Sequence, residues 1–194
     1  TIYFIIDSRT NSTALNLGDV ELCEGASPIN FVPETSGGTW SENAPNGVFS
    51  ASVSGLGTHT VSYTVGGQTT NALVKVSPKL VPYFTMNLQS NVLHPTENTT
   101  VFPATKENAG TSPVFSYGID SKTYVTGSEY QNIQANELPA GMHTLYVKME
   151  SNALCTLNEG VAYDSVRFEV LDPTNLPKPA GLNDAVLWLR ADKG

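Results

Sequence analysis

The chain has 194 residues, of which 40% are hydrophobic and only 14% charged, against roughly 25% charged in an average soluble protein. Its formal net charge is −8, which excludes the basic footprint of a nucleic-acid binder and opposes docking on anionic lipid. No apolar run approaches the roughly 18–20 residues of a membrane-crossing helix, and no charged, then apolar, leader opens the chain.

The opening "TIYFIID" reads as a strand already in progress, so residues 1–13 are expected to be the end of a preceding module. A fragment of a longer protein is the expectation, with targeting signals outside it. From there the dominant signal is period-two alternation between turn clusters. "THTVSYTV" puts Thr58, Thr60, Ser62 and Thr64 on one face and His59, Val61, Tyr63 and Val65 on the other. "NALVKV" follows after "GGQTT", which predicts a hairpin of residues 58–65 and 71–76. "HTLYVKM" at 143–149 and "DSVRFEV" at 164–170 repeat the pattern. "APNG", "NAGTSP", "DSK" and "LPAG" punctuate it as turns. No window of about a dozen residues carries an i, i+3, i+4, i+7 apolar stripe. Many short strands between Gly/Pro/Asn turns predict an all-β chain of tandem Ig-like β-sandwich modules.

Punctuation sets the boundaries. "SPKLVP" at 77–82 separates a small Ig-like domain, 14–79, from a second domain, 80–172. "LDPTNLPKPAGLND" has Pro173, Pro177 and Pro179, so 173–194 is expected to be a Pro-rich, semi-rigid linker and the start of a further sandwich. Beads on a string is the expected layout. "GLGTHTVSYTV" and "PAGMHTLYVKM" share a Gly-x-His-Thr phrase, which places His59 and His143 in one slot of a repeated plan. Cys23 and Cys155 lie 132 positions apart and in different predicted domains. A bridge needs Cα atoms within about 7 Å and hence close packing of the two domains; two separate thiols are the favoured expectation, with a bridge as the alternative. Metal binding has no short-spaced Cys pair to support it.

The residues "VELCEGASPINF…GGTWS…GVF…GLGTHTVSYTV" resemble the small Ig-like modules of large secreted surface proteins of Bacteroidetes. "TTVFPATKENAGTSPVFSYGID" and "AYDSVRFEVLD" resemble the PKD-like or Ig-like repeats of the same proteins, and "GLNDAVLWLRADKG" resembles the opening of a laminin-G or concanavalin-like domain. The resemblance implies an extracellular, cell-surface, multi-module chain exported by the type IX system, as in gliding-motility adhesins. It departs from the family at "GGQTTN", which lacks the usual second Cys. It departs again at "NVLHPTENTTVF", where His94 stands in the stretch that usually carries a Cys. Both cysteines are thereby left without the family's intradomain partner.

In Ig-like sandwiches a Tyr opening the penultimate strand anchors the corner through a backbone hydrogen bond. His59 and His143 fit that slot, each with a nitrogen able to reach a carbonyl, and a shared metal site would need a third ligand. Trp40 is expected as a core plug, with a glycan-stacking platform as the rival reading, in which Tyr124 or Tyr130 would join it. Trp188 and Val186 read as a strand core. The carboxylates Asp7, Asp19, Glu21, Glu24, Glu34 and Glu42 show no converging pair of the glycosidase kind. No nucleophile elbow, zinc-protease motif or phosphate loop is present, so no catalytic residue, no cofactor and no enzyme activity are expected. Structural calcium is conceivable at Asp172 in "DPTN", a run of hard oxygen donors. Asn11 and Asn98 sit in N-glycosylation sequons. Asp164-Ser165-Val166 resembles the O-glycosylation signal of Bacteroidetes secreted proteins, which makes Ser165 the candidate acceptor.

The expected function is a structural spacer or stalk of a secreted bacterial surface adhesin, with gliding motility as its setting. The alternative is a spacer or carbohydrate-binding module of a secreted polysaccharide-degrading enzyme. Expected partners are other modules of the same chain and surface glycans or a secretion or motility protein, not nucleic acid or membrane.

Overall fold

The computed structural model describes residues 14–174. Asp7, Asn11, Val186, Trp188, the expected preceding module and most of the 173–194 linker lie outside them. The described chain is built almost wholly of strands, with one single-turn helix, α1 (Ala51–Ser54), and three short 3₁₀ turns.

Two compact units emerge. Of the described residues, unit 1 comprises 14–82, 108–113 and 151–161, and unit 2 comprises 83–107, 114–150 and 162–174. The backbone therefore passes from one unit to the other five times rather than once. Two segments that sequence punctuation assigned to the second domain, 108–113 and 151–161, belong to unit 1.

Unit 1 starts with β1 (Val20–Cys23), β2 (Ile29–Asn30), β3 (Thr39–Trp40) and β4 (Val48–Phe49). The long strands β5 (Gly57–Val65) and β6 (Gln68–Ser77) follow. One sheet has the order β1-β6-β5-β3, and β2 pairs with β4 in the second. The predicted alternation holds: Val61 and Tyr63 are buried while Thr58 and Thr60 are exposed. The hairpin is tighter than expected. β6 begins at Gln68, and the turn is only Gly66–Gly67, with φ of 58° and 76°. A two-residue turn that matches strand twist needs φ > 0 at both positions, which two glycines allow. The core is small: Phe31, Phe49, Val61, Val74 and Val76, with Trp40 packed against it half-buried.

Unit 2 contains β7 (Tyr83–Leu88), β8 (Val92–Leu93), β9 (Asn98–Glu107), β10 (Val114–Ile119), β11 (Val125–Gly127), β12 (Gln131–Gln134), β13 (Gly141–Glu150) and β14 (Val161–Val170). Its sheets have the orders β11-β10-β13-β14-β8 and β12-β9-β7. Phe84 and Phe115 meet edge to face, with ring centroids 5.6 Å apart, among Val101, Leu145, Val147, Met149 and Phe168.

Both units follow one Ig-like plan. In unit 1 the first strand β1 pairs in parallel with the last, β6, with Val20 opposite Val74. In unit 2 the early strand β8 pairs in parallel with the last, β14, with Leu93 opposite Val170. In both, a short helical turn leads into the penultimate strand: α1 before β5, and the 3₁₀ turn Ala135–Glu137 before β13. The repeat is longer than the Gly-x-His-Thr phrase. Phe49, Ala51, Gly57 and His59 recur at one constant offset as Ile133, Ala135, Gly141 and His143. Gly57 and Gly141 have φ of 122° and 132°, a conformation open to glycine.

Unit 1 also holds the main correction to the sequence reading. Cys23 and Cys155 form a disulfide, with Cα atoms 5.3 Å apart, and are not separate thiols. The expectation failed because it placed Cys155 in another domain. Residues 151–161 instead fold onto unit 1. Leu80 N–H donates to the Cys155 carbonyl at 2.9 Å, and Leu157 N–H donates to the Leu80 carbonyl at 2.9 Å. These bonds hold Cys155 against the end of β1.

Candidate functional site

The histidine slot is a corner in both units, as the tyrosine analogy predicted. His59 Nε2 lies 3.0 Å from the Gly55 carbonyl. His143 Nε2 lies 2.8 Å from the Pro139 carbonyl. Each partner is four residues upstream. A strand-opening side chain that reaches back to its own turn fixes the angle at which the strand enters the sheet. The histidines sit in different units, each on the penultimate strand of its own sandwich.

Their second nitrogens differ. His143 is only 4% exposed, stacks on Phe168 with centroids 5.4 Å apart, and places Nδ1 2.6 Å from Asp120 Oδ2. A carbonyl and a carboxylate both accept, so the two partners favour the cationic ring, which donates from both nitrogens. Burial lowers its pKa, but the Asp120 hydrogen bond, the Pro139 carbonyl and the Asp120 charge outweigh burial, and the net shift is upward. The Asp120 carboxyl is held below its usual range, first by the Thr144 N–H at 2.8 Å and then by His143.

Other carboxylates do structural work of the same kind. Asp19 Oδ1 accepts from the Leu73 N–H at 2.8 Å, and Asp164 Oδ2 accepts from the Met86 N–H at 2.6 Å, beside the bulge in β7. Glu21 accepts from Ser77 and pairs with Lys75 at 2.9 Å. Asp172 Oδ1 takes both the N–H and the hydroxyl of Thr174, at 2.8 and 2.6 Å, which are the oxygen contacts that calcium would have to replace. Among the described residues no group of three or more His, Cys, Asp or Glu side chains could hold a metal ion.

Two tyrosines lock loops from inside. Tyr63 OH donates to the Thr35 carbonyl at 2.6 Å and accepts from the Gly38 N–H at 2.8 Å. A Cβ at Gly38 would lie 2.7 Å from that oxygen, which explains the second glycine of "GGTW". Tyr117 OH donates to the Ser128 carbonyl at 2.8 Å. Burial, and then the Glu129 charge, push its pKa up to about 12.

Trp40 is placed where a plug belongs. Its ring meets Tyr63 at 4.6 Å between centroids, and a Cβ at Gly47 would lie 2.9 Å from Cζ2. Tyr63 and Gly47 thus cover part of the ring, and the side chain is half-buried. Tyr130 is 65% exposed and far out on its turn. Tyr124, by contrast, faces Tyr163 with centroids 6.0 Å apart. Ser165 is exposed on β14, whose pairing with β8 covers only Glu169 and Val170. Asn98 is exposed at the start of β9, and the His94 N–H donates to Glu97 at 2.9 Å.

No family model and no curated protein matches the sequence. Solved structures similar to the chain include Drosophila OTK extracellular domains 3–5 (14% identity, 82% of this chain and 62% of that one, TM-score 0.40). Another is the titin I-band fragment I67–I69 (14% identity, 81% and 65%, TM-score 0.43). A third comprises the fibronectin(III)-like modules of Clostridium thermocellum CbhA (12% identity, 81% and 93%, TM-score 0.37). The chain spans less than two thirds of the first two.

Proposed function

We propose that the chain is a load-bearing spacer segment of a secreted, extracellular surface protein. The observation that carries this reading is the Cys23–Cys155 bridge, whose two residues lie 132 positions apart. Tension applied to the two chain ends runs through β1 into Cys23, crosses the bridge, and leaves through β14. Everything from Glu24 to Leu154 is bypassed covalently. The bridge withholds about 450 Å of extended chain, at roughly 3.4 Å per residue. A disulfide also suits an oxidising, extracellular setting.

The sheets support the same role when the bridge is absent. Each unit closes by a parallel pairing between an early strand and the last strand. Pulling such a pair from opposite ends loads its hydrogen bonds together, in shear. On the sequence resemblance, the parent is a Bacteroidetes surface adhesin exported by the type IX system, with gliding motility as its setting. Its partners in that reading are neighbouring modules and a secretion or motility protein, and Ser165 is an O-glycan acceptor.

Single-molecule stretching of residues 1–194 tests the mechanical reading. The oxidised chain is expected to withhold Glu24–Leu154 up to rupture of the tether. A Cys23→Ser, Cys155→Ser chain is expected to open in discrete steps that release that length. A bridgeless chain that extends without discrete steps would sink the load-bearing reading.

A further inference from the structure

Three tyrosines gather on unit 2 away from its core. Tyr146 projects from β13 on the face opposite to buried Leu145 and Val147. Tyr163 comes from β14 and is 64% exposed. Tyr124 arrives from the turn before β11. With Lys122, Asp164 and Ser165 they line one open cavity of about 560 Å³. Lys122 Nζ stands 5.7 Å above the Tyr146 ring centroid.

The cluster is held in shape. Gly118 on β10 lies opposite Tyr146, and a Cβ there would meet the Ser121 carbonyl and lie 2.8 Å from the Thr123 carbonyl. Glycine at 118 therefore lets the 121–123 turn lie down on the sheet. The turn is fixed at its base by Asp120, whose N–H donates to the Thr144 carbonyl at 2.8 Å and whose carboxylate takes the Thr144 N–H and buried His143. Lys122 and Tyr124 are thus presented on a clamped turn, and a preformed site loses less freedom when it binds. Solvent-facing tyrosines that serve no core are a sign of recognition, since each offers a broad apolar face and a polar tip.

The surrounding charges choose the ligand. The chain is acidic overall, and Lys148 is paired with Glu150 at 2.8 Å. Lys122 and Asp164 bring one charge of each sign to the cavity, so its lining is not that of an anion site. The rim mixes donors with acceptors: Lys122 only donates, Asp164 only accepts, and Ser165 and the phenols do both. A ligand that matches has apolar faces for the rings and groups that both donate and accept around its edge. A pyranose sugar has both. A polyproline segment has the apolar faces but no N–H for the carboxylate to accept.

We propose that the Tyr124–Tyr146–Tyr163 cluster of unit 2 is a binding platform for a neutral oligosaccharide, stacked on the rings and hydrogen-bonded by Lys122 and Asp164. This goes beyond the spacer reading and stands or falls separately, because it needs neither tension nor the disulfide.

The test is calorimetric titration of residues 1–194, with Ser165 shown to be unmodified by mass. The probes are neutral hexaoses of β-1,4-glucose, β-1,3-glucose, β-1,4-xylose and β-1,4-mannose, a polygalacturonate oligomer, and a proline decamer. At least one neutral hexaose is expected to bind. Tyr163→Ala and Tyr146→Ala should each weaken it about tenfold or more, a change near 1.4 kcal/mol. Tyr130→Ala, outside the cluster, should leave it unchanged. Near-native far-ultraviolet dichroism and melting of Tyr163→Ala, the most exposed of the three, exclude misfolding as the cause. The proposal is overturned by no binding of any neutral hexaose at millimolar concentration, or by binding that survives Tyr163→Ala. It is equally overturned by preference for the polygalacturonate or the proline decamer.

Discussion

His59 and His143 occupy the same slot of the same plan, and the two units secure that corner differently. Unit 2 buries its histidine between Phe168 and Asp120 and uses both nitrogens. Unit 1 leaves His59 half-buried beside Phe49, with centroids 5.6 Å apart and one carbonyl contact. Unit 1 also has the smaller core, and it is the unit with the disulfide. Small sandwiches bury too little apolar surface to hold themselves firmly and are often stapled covalently. A shared geometry at one corner thus coexists with two sources of stability, a covalent one in unit 1 and, in unit 2, a buried histidine paired with a half-exposed carboxylate.

The largest effect should come from removing the staple. Closing a loop of this length restricts the unfolded chain enough to stabilise by about 3–5 kcal/mol. The Cys23→Ser, Cys155→Ser chain should therefore unfold unit 1 well below the melting point of the oxidised protein. With Trp188→Phe in the background, Trp40 fluorescence reports unit 1 alone, because Trp40 packs on its core. If both units lose stability equally in that variant, the disulfide is not a unit 1 device and the contrast fails.

Exchanging the corners gives the next effect. His143→Ala leaves the Pro139 carbonyl without its ring partner and opens space beside Phe168, at a cost of about 2–4 kcal/mol. His59→Ala, at a half-buried site with one hydrogen bond, should cost about 1 kcal/mol. His59→Phe should fold as well as the parent and change no ligand behaviour. Urea unfolding of each variant measures this, and equal losses at the two sites would remove the distinction.

Much of this was legible in the sequence. Alternation in "THTVSYTV" fixes which side chains enter the unit 1 core, and the histidine slot is readable because a strand-opening ring beside a turn has few other uses. The longer echo, in which Phe49 and Ala51 match Ile133 and Ala135, is equally present in the sequence. The disulfide was not legible, because sequence position says nothing about loops 108–113 and 151–161 folding onto unit 1. Trp40 has a local signal, the flanking glycines. The tyrosine cluster has none, since Tyr124, Tyr146 and Tyr163 come from three separate segments and meet only through strand order. Asp120 is hidden likewise: nothing local marks a turn aspartate as the partner of a histidine 23 positions away.

The smallest predicted effect is also the most discriminating. His143 has its pKa raised above the ordinary 6.5 in the folded state. Its contribution is therefore full below about pH 6.5 and is lost as pH rises through the raised folded value. Asp120 is lowered from 3.8, so its contribution is present above about pH 3.8 and is lost as pH falls through the lowered folded value. Both are complete only between these limits, and unit 2 should be most stable near pH 4–6.5. Because Asp120 is 50% exposed, water weakens the pair, and Asp120→Asn should cost about 1 kcal/mol at pH 6. Without the carboxylate the imidazolium loses its charge partner, so the alkaline fall of unit 2 should begin at lower pH. Unfolding followed by Tyr117, inside the unit 2 core, from pH 4 to 9 measures both curves. An alkaline fall that stays in place in Asp120→Asn would show that His143 is not held as a cation by Asp120, and the two corners would then differ only in burial.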